Sequence, residues 1–243
     1  MLEIRPSGQA CGAAVHGVDL SRALDAQTIT AIRRAWMEHH VLAFPGQQLA
    51  DADLERIALA FGTFGEEPYF VPIDGSEHVV ALTRRADEKA PVFAEVWHSD
   101  WSFMPEPPIG TCLYSLVIPP VGGNTGFVNQ QKALAAMPAT LREKLEGRLA
   151  LHSAAAGYAP DGMYGEADSA SDRSMKILSS ESARDIHPHP FILRHPESGH
   201  ETLLGCLGYI VGIQDMADDA ALELLLELYA WQTRPEFQYS HEW

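Results

Sequence analysis

Basic residues are scarce in this chain. Lys and Arg number 17 against 33 Asp and Glu, a formal net charge of −16. Nucleic acid and anionic lipid both require clustered cations, so a surface this acidic argues against either as a partner. A small anionic substrate is still allowed, because one or two local arginines suffice for it. Cysteine is scarce too. Cys11, Cys112 and Cys206 are odd in number, widely spaced and without a CxxC, which argues against a disulfide framework or a zinc knuckle. They read as three buried free thiols. Long apolar runs are missing, and none approaches a membrane span. The opening "MLEIRPSGQACGAAVHG" has no apolar stretch of the signal-peptide kind. The expectation is a soluble protein of a reducing, cytoplasmic setting. Internal repeats are absent, as is a Gly-x-Ser-x-Gly elbow. "GTFGEE" and "VGGNTG" do not fit the GxxxxGK[ST] phosphate loop.

What is present is enough apolar residue, 46% of 243, to bury a sizeable core. No linker divides the chain, so residues 1–243 read as a single domain. Residues 25–38 carry Ile29, Ile32, Ala35 and Trp36 at helical spacing behind Asp25 as a cap. "VLAFPG" reads as a short strand ended by Pro45-Gly46. Residues 51–61 form a second helix with Leu54, Ile57, Ala58 and Phe61 on one face, and Gly62 stands at its end. Residues 78–83 and 110–118 read as strands. Residues 137–147 read as a helix with Pro138 in its first turn and Gly147 at its end. Residues 190–204 hold two short strands around a turn at Glu197-Ser198-Gly199. Residues 218–232 form a strong helix with Leu222, Leu225, Leu226 and Tyr229 on one face. The stretch 153–183, rich in Ala, Ser, Gly and Asp, has little periodicity and reads as a lid, a binding loop or disorder. The pattern is a β-rich core with helical additions.

The chemistry-bearing stretch is "EVWHSDWSF", residues 95–103. If it is a strand, His98 and Asp100 face the same way, because the side-chain period is two. Imidazole and carboxylate together suit a first-row divalent metal, and two histidines with one carboxylate are the facial set of non-heme iron(II) oxygenases. The spacing alone is common by chance. Other histidines compete: His187 and His189 form an HxH, His195 and His200 flank a turn, and His39 and His40 end a helix, where imidazolium interacts favourably with the helix dipole. For these, structural or surface roles are favoured.

Beyond the pair, five ordered stretches resemble one family. They are "GAAVHGVDLSRAL", residues 35–65, residues 96–134, residues 189–205, and "WQTRPEFQYSHEW". Together they resemble the iron(II)- and 2-oxoglutarate-dependent dioxygenases of the taurine dioxygenase and 2,4-dichlorophenoxyacetate dioxygenase family. The resemblance implies a mainly β fold, a double-stranded β-helix or jelly roll flanked by helices. It implies His98 and Asp100 as iron ligands and catalytic residues, Thr125 in "GGNTGF" as a partner of a 2-oxoglutarate carboxylate, and Tyr209 in "LGYIVGI" as an aromatic against the substrate. It also implies Fe(II), 2-oxoglutarate and O2 as cofactor and cosubstrates, with succinate and carbon dioxide released as a substrate C–H bond is hydroxylated. Segment 153–183 becomes a candidate lid.

The sequence also departs from the family. The second histidine ligand, in a segment like WDNRxxxH, and the arginine that pairs with 2-oxoglutarate are expected beyond Trp243, so the domain reads as incomplete at its C-terminal strands. His241 is a tempting substitute, but "SHEW" matches a polar stretch before the missing strand. Ala94 stands where sulfonate-binding relatives often have asparagine. The substrate class stays open between small sulfonates, sulfate esters and aryloxyalkanoates. Relatives commonly form dimers or tetramers. Two other readings are a non-catalytic barrel that has lost its triad, and a zinc hydrolase using His98, Asp100 and His187 or His189.

Overall fold

A computed structural model describes residues 2–169 and 171–243. Among the described residues are ten short strands: β1 (Glu3–Pro6), β2 (Ala13–His16), β3 (Leu42–Ala43), β4 (Thr125–Val128), β5 (Leu149–His152), β6 (His187–Pro190), β7 (Ile192–Arg194), β8 (Glu201–Leu203), β9 (Ile210–Ile213) and β10 (Gln238–His241). The helices are α1 (Ala26–His39), α2 (Asp51–Phe61), α3 (Gln130–Ala135), α4 (Ala139–Leu145), α5 (Ala155–Tyr158), α6 (Glu166–Ser169) and α7 (Asp218–Gln232). The strands make four small sheets, ordered β1-β2-β3, β10-β4, β6-β5-β9 and β7-β8. Among the described residues they do not close a barrel. No described helix is long and apolar enough to cross a membrane.

Several elements form for the reasons visible in their residues. The Asp25 carboxylate accepts from the Thr28 N–H at 2.7 Å and so caps α1. α1 turns Ile32 and Ala35 inward. Gly147 follows α4 at φ +73, a left-handed position that glycine adopts freely. Gly199 does the same in the β7–β8 turn, at φ +70. Gly62 differs from the usual terminal glycine. Its φ of 177 is extended, which any residue adopts, and it lies beside the terminal methyl of the exposed Ile109 side chain.

The principal core lies between α7, α3, α4 and the β6-β5-β9 sheet, with Leu145, Ala150, Phe191 and Ile213 almost wholly buried. α7 is turned from the expected face. Ala221, Leu224, Leu225, Leu228 and Gln232 are inside, while Leu222 and Leu226 are half exposed. The helix carries leucine nearly all round, so its pattern does not select a face; the small Ala221 lets it approach β9. Residues 78–83 and 110–118 form no strands. Strands exist by pairing rather than by propensity, and no described strand pairs with either. Leu116 and Val117 are accordingly exposed at 82% and 89%. Cys112, on the same stretch, is exposed as well, whereas Cys11 and Cys206 are buried free thiols.

A second cluster is aromatic: Tyr69, Phe70, Phe103, Tyr158 and Tyr164 pack together with Met175. Segment 153–183, apart from Ala170, which lies outside the described residues, holds α5, α6 and a 3-10 turn over Glu181–Arg184. It is fastened to the 84–91 loop. Asp172 accepts from the Lys89 and Ala90 N–H groups, and Ser174 bonds Glu88. The Arg173 guanidinium forks onto Asp168 at 2.7 and 3.0 Å, with side-chain exposures of 4% and 9%. Removing one member of such a pair strands a buried charge. Arg173→Met is expected to lower unfolding free energy by about 3 kcal/mol, with Arg173→Met/Asp168→Leu much closer to wild type. Urea denaturation of the three proteins measures this; equal losses in the single and double variants would refute it.

Candidate active site

The His98–Asp100 stretch is not a strand. It runs as irregular chain from Val96 into a turn in which the Ser102 N–H donates to the Ser99 carbonyl. Two non-glycine residues with left-handed backbone bracket it, Ala94 at φ 56 and Trp101 at φ 49. Such residues cost roughly 1–2 kcal/mol each and persist where the surroundings over-determine them. Here the surroundings are close. A Cβ on Gly208 would stand 2.9 Å from the Trp97 carbonyl oxygen and 3.3 Å from the His98 Cβ. A Cβ on Gly126 would stand 2.8 Å from the Trp97 ring. The segment is thus clamped between β4 and the residues that lead into β9, and both approaches require glycine. Below it, Phe103 is buried in the aromatic cluster.

The turn brings the two side chains together by a different route from strand alternation. His98 Nε2 lies 3.0 Å from Asp100 Oδ1. The outer atom of each is already committed. His98 Nδ1 donates to the Val96 carbonyl at 2.8 Å, and Asp100 Oδ2 accepts from the Thr111 hydroxyl at 2.6 Å. With the proton of a neutral imidazole held at Nδ1, Nε2 faces Oδ1 lone pair to lone pair. That arrangement demands a positive centre between them, either a proton on His98 or a cation. The hydrogen bond to Asp100 accordingly raises the His98 pKa, against desolvation. Burial pushes the Asp100 carboxyl up, but hydrogen bonds from His98 and Thr111 outweigh it and hold the group below its ordinary range. The donor set, one imidazole nitrogen and one carboxylate oxygen with both outer atoms tethered, suits a first-row divalent metal.

The other candidate residues lie around this pair. Tyr209 sets its ring edge-to-face on His98, 5.8 Å between centroids, and on Phe103 at 4.8 Å. Burial and the nearby Asp100 charge favour its neutral phenol, while a hydrogen bond with Tyr158 opposes this only in part. Thr125 opens β4 opposite His241 in β10, next to the Gly126 that receives Trp97. Its Oγ1 accepts from the Trp243 indole N–H at 3.0 Å, which leaves the hydroxyl proton free to donate. A cavity of about 260 Å³ lies between His98, Trp97, Gly126 and Cys206.

No group of three His, Cys, Asp or Glu that could hold an ion occurs among the described residues. His189 is occupied elsewhere, 2.9 Å from the Met104 carbonyl, and His241 bonds the Tyr239 hydroxyl at 3.0 Å. His187 and His189 therefore do not complete a site with His98 and Asp100. Sequence reading missed Thr111, Gly126 and Gly208. Only the two glycines carried a signal, as glycines beside chemistry-bearing segments.

A family model described as Taurine catabolism dioxygenase TauD, TfdA family matches residues 3–243. The alkylsulfatase of Acinetobacter baylyi is 31% identical over 247 residues, covering all of this chain and 74% of that protein. The alpha-ketoglutarate-dependent sulfate ester dioxygenase of Pseudomonas putida is 32% identical over 212 residues, covering 86% of this chain and 67% of that protein. The crystal structure of a taurine dioxygenase from Burkholderia xenovorans superposes with a TM-score of 0.74 at 26% identity, covering all of this chain and 76% of that one. The four small sheets with their outer helices are thus a jelly-roll type fold.

Two substitutions probe the clamp. Thr111→Val removes a donor from Asp100 Oδ2, so the Asp100 carboxyl should titrate at higher pH than in wild type. Carbon-detected NMR of the carboxylates reads this, and an unmoved titration would refute the tether. Gly208→Ala should destabilise the protein by about 1–3 kcal/mol by driving a methyl into the Trp97 carbonyl; thermal unfolding at wild-type values would contradict the close approach.

Proposed function

The chain belongs to the taurine catabolism dioxygenase TauD, TfdA family, and on that premise we propose that His98 and Asp100 hold ferrous iron in a 2-oxoglutarate-dependent dioxygenase. The observation that carries the reading is the facing of His98 Nε2 and Asp100 Oδ1 at 3.0 Å with both outer atoms tethered. The balanced reaction takes substrate C–H, 2-oxoglutarate and O2 to substrate C–OH, succinate and carbon dioxide. The substrate is a small organic anion of the sulfate ester, sulfonate or aryloxyalkanoate type. Sulfate esters are favoured by the names of the two relatives reported above.

Bound between the pair, the metal would supply the redox chemistry that activates dioxygen. The chain's own residues do the rest. His98 Nδ1–H, fixed on the Val96 carbonyl, keeps the Nε2 lone pair directed at the metal position. Thr111 holds Asp100 so that Oδ1 is presented. Thr125, with its lone pair on the Trp243 indole, keeps a hydroxyl proton to donate to a 2-oxoglutarate carboxylate. Tyr209, a neutral phenol packed on His98 and Phe103, offers a ring edge to substrate and shields one side of the pair from water. Segment 153–183, through Tyr158 and Tyr164, backs that aromatic wall and serves as the site's cover. The setting is cytoplasmic, in keeping with three unpaired thiols. Leu222 and Leu226, half exposed on α7, suit a homo-oligomer contact.

Anaerobic addition of Fe(II) and 2-oxoglutarate should produce a visible charge-transfer band that His98→Ala abolishes. Oxygen should then release succinate, faster with a sulfate ester, sulfonate or aryloxyalkanoate present. Folded protein that gives neither band nor succinate would overturn the reading. Metal binding must also displace the proton that His98 holds. Because that proton is held above the ordinary imidazole range, Mn(II) affinity should fall as pH drops through that range. Titrations at pH 6 and pH 8 with equal affinity would argue against His98 as a ligand.

A further inference from the structure

The most deeply buried histidine lies outside the pair. His152 ends β5 with no solvent exposure, and Ser102, two residues beyond Asp100, is equally buried. His152 Nδ1 lies 3.1 Å from Ser102 Oγ. The opposite nitrogen, Nε2, has no hydrogen-bond partner. A buried N–H without an acceptor is rarer and costlier than a buried lone pair without a donor. The proton therefore belongs on Nδ1, which donates to the Ser102 hydroxyl. Burial presses the His152 pKa down to about 4, with the neighbouring His189 acting the same way, so the ring is a neutral donor at physiological pH. Its seat is cut to fit. Gly205, at φ +86, leaves room for the ring where a Cβ would lie 2.3 Å from Cε1, and His189 packs edge-to-face at 5.2 Å.

What this hydrogen bond holds is the turn. Ser102 closes the turn onto Ser99, and Trp101 within it has a left-handed backbone. A strained residue of this kind relaxes when its neighbours stop constraining it. Trp101 itself is constrained by its ring, stacked on Phe70 at 6.0 Å. The main chain just after it is constrained by His152 through Ser102. Relaxation there would swing Asp100, next to Trp101, away from His98. A neutral donor fixed on the rigid central strand of the β6-β5-β9 sheet is a suitable anchor for such a turn, since β5 is paired on both sides.

We propose that His152 is a positioning residue for the metal-ligand turn, acting through its hydrogen bond to Ser102 to hold the strained backbone that presents Asp100 to His98. Its functional sense rests on the reading of Asp100 as a ligand; its structural content does not. The test uses His152→Leu, which removes the donor, His152→Asn, which retains an N–H near the Nδ1 position, and Ser102→Ala, which removes the acceptor with little change in volume.

Hydrogen exchange by mass spectrometry should show the peptide spanning residues 97–104 exchanging roughly fivefold faster in His152→Leu and Ser102→Ala, the loss of one net hydrogen bond. Peptides of α7 should be unchanged, and His152→Asn should restore most of the protection. Mn(II) binding should weaken roughly tenfold in the two disruptive variants and recover in His152→Asn. No change at 97–104, an acceleration spread over the whole chain, or equal loss in Leu and Asn would overturn the proposal. If the wild type binds no Mn(II), the metal reading fails while the exchange data still decide whether His152 holds the turn. If His152→Leu does not fold, Ser102→Ala alone decides it from the other end of the same bond.

Discussion

An imidazole nitrogen and a carboxylate oxygen facing one another at 3.0 Å are the constraint on which the rest of this site depends. An imidazole nitrogen and a carboxylate oxygen do not stay so close without a positive centre between them, and the protein spends several interactions holding them there. Val96 fixes the far side of His98, and Thr111 fixes the far side of Asp100. Gly208 and Gly126 allow neighbouring chain to approach within a distance no side chain would permit. Trp101 takes a backbone conformation that tryptophan rarely adopts. Each of these is unfavourable or restrictive by itself. Together they make one arrangement of the pair much better than its alternatives.

The fold supplies rigidity where that arrangement needs it. β5 is the middle strand of its sheet; it ends on His152, against the turn that holds Asp100, and is followed by Ser153, whose N–H donates to the Tyr209 carbonyl. One strand thus fixes the turn and the aromatic wall relative to each other. α7 packs against the same sheet through Ala221, Leu224, Leu225 and Leu228. The aromatic cluster then ties segment 153–183 to Phe103, one residue from the turn. Its buried Arg173–Asp168 fork and the Asp172 contacts anchor that segment to the 84–91 loop.

The electrostatic character of the chain is consistent with this chemistry. A net charge of −16 keeps polyanions away. The hydroxyl of Thr125 and the phenol of Tyr209, beside the pair, are neutral groups that do not add to the surplus of negative charge.

The sequence by itself determined the residue types and their neighbourhood. An imidazole and a carboxylate two apart among aromatics, the capped α1 and the β7–β8 turn with its glycine could all be read from local pattern, because caps, turns and helices depend on residues a few positions apart. It also carried the family likeness, which rests on the order of five stretches. Tertiary structure alone decided the rest. The pair meets through a strained turn rather than strand alternation, since a turn is fixed by distant partners such as His152. Residues 78–83 and 110–118 have strand-like composition without strands, because a strand exists only where another pairs with it. α7 buries a different leucine stripe, since leucine nearly all round leaves the choice of face to the surface it meets. Thr111 is an ordinary threonine until the fold brings its hydroxyl to Asp100.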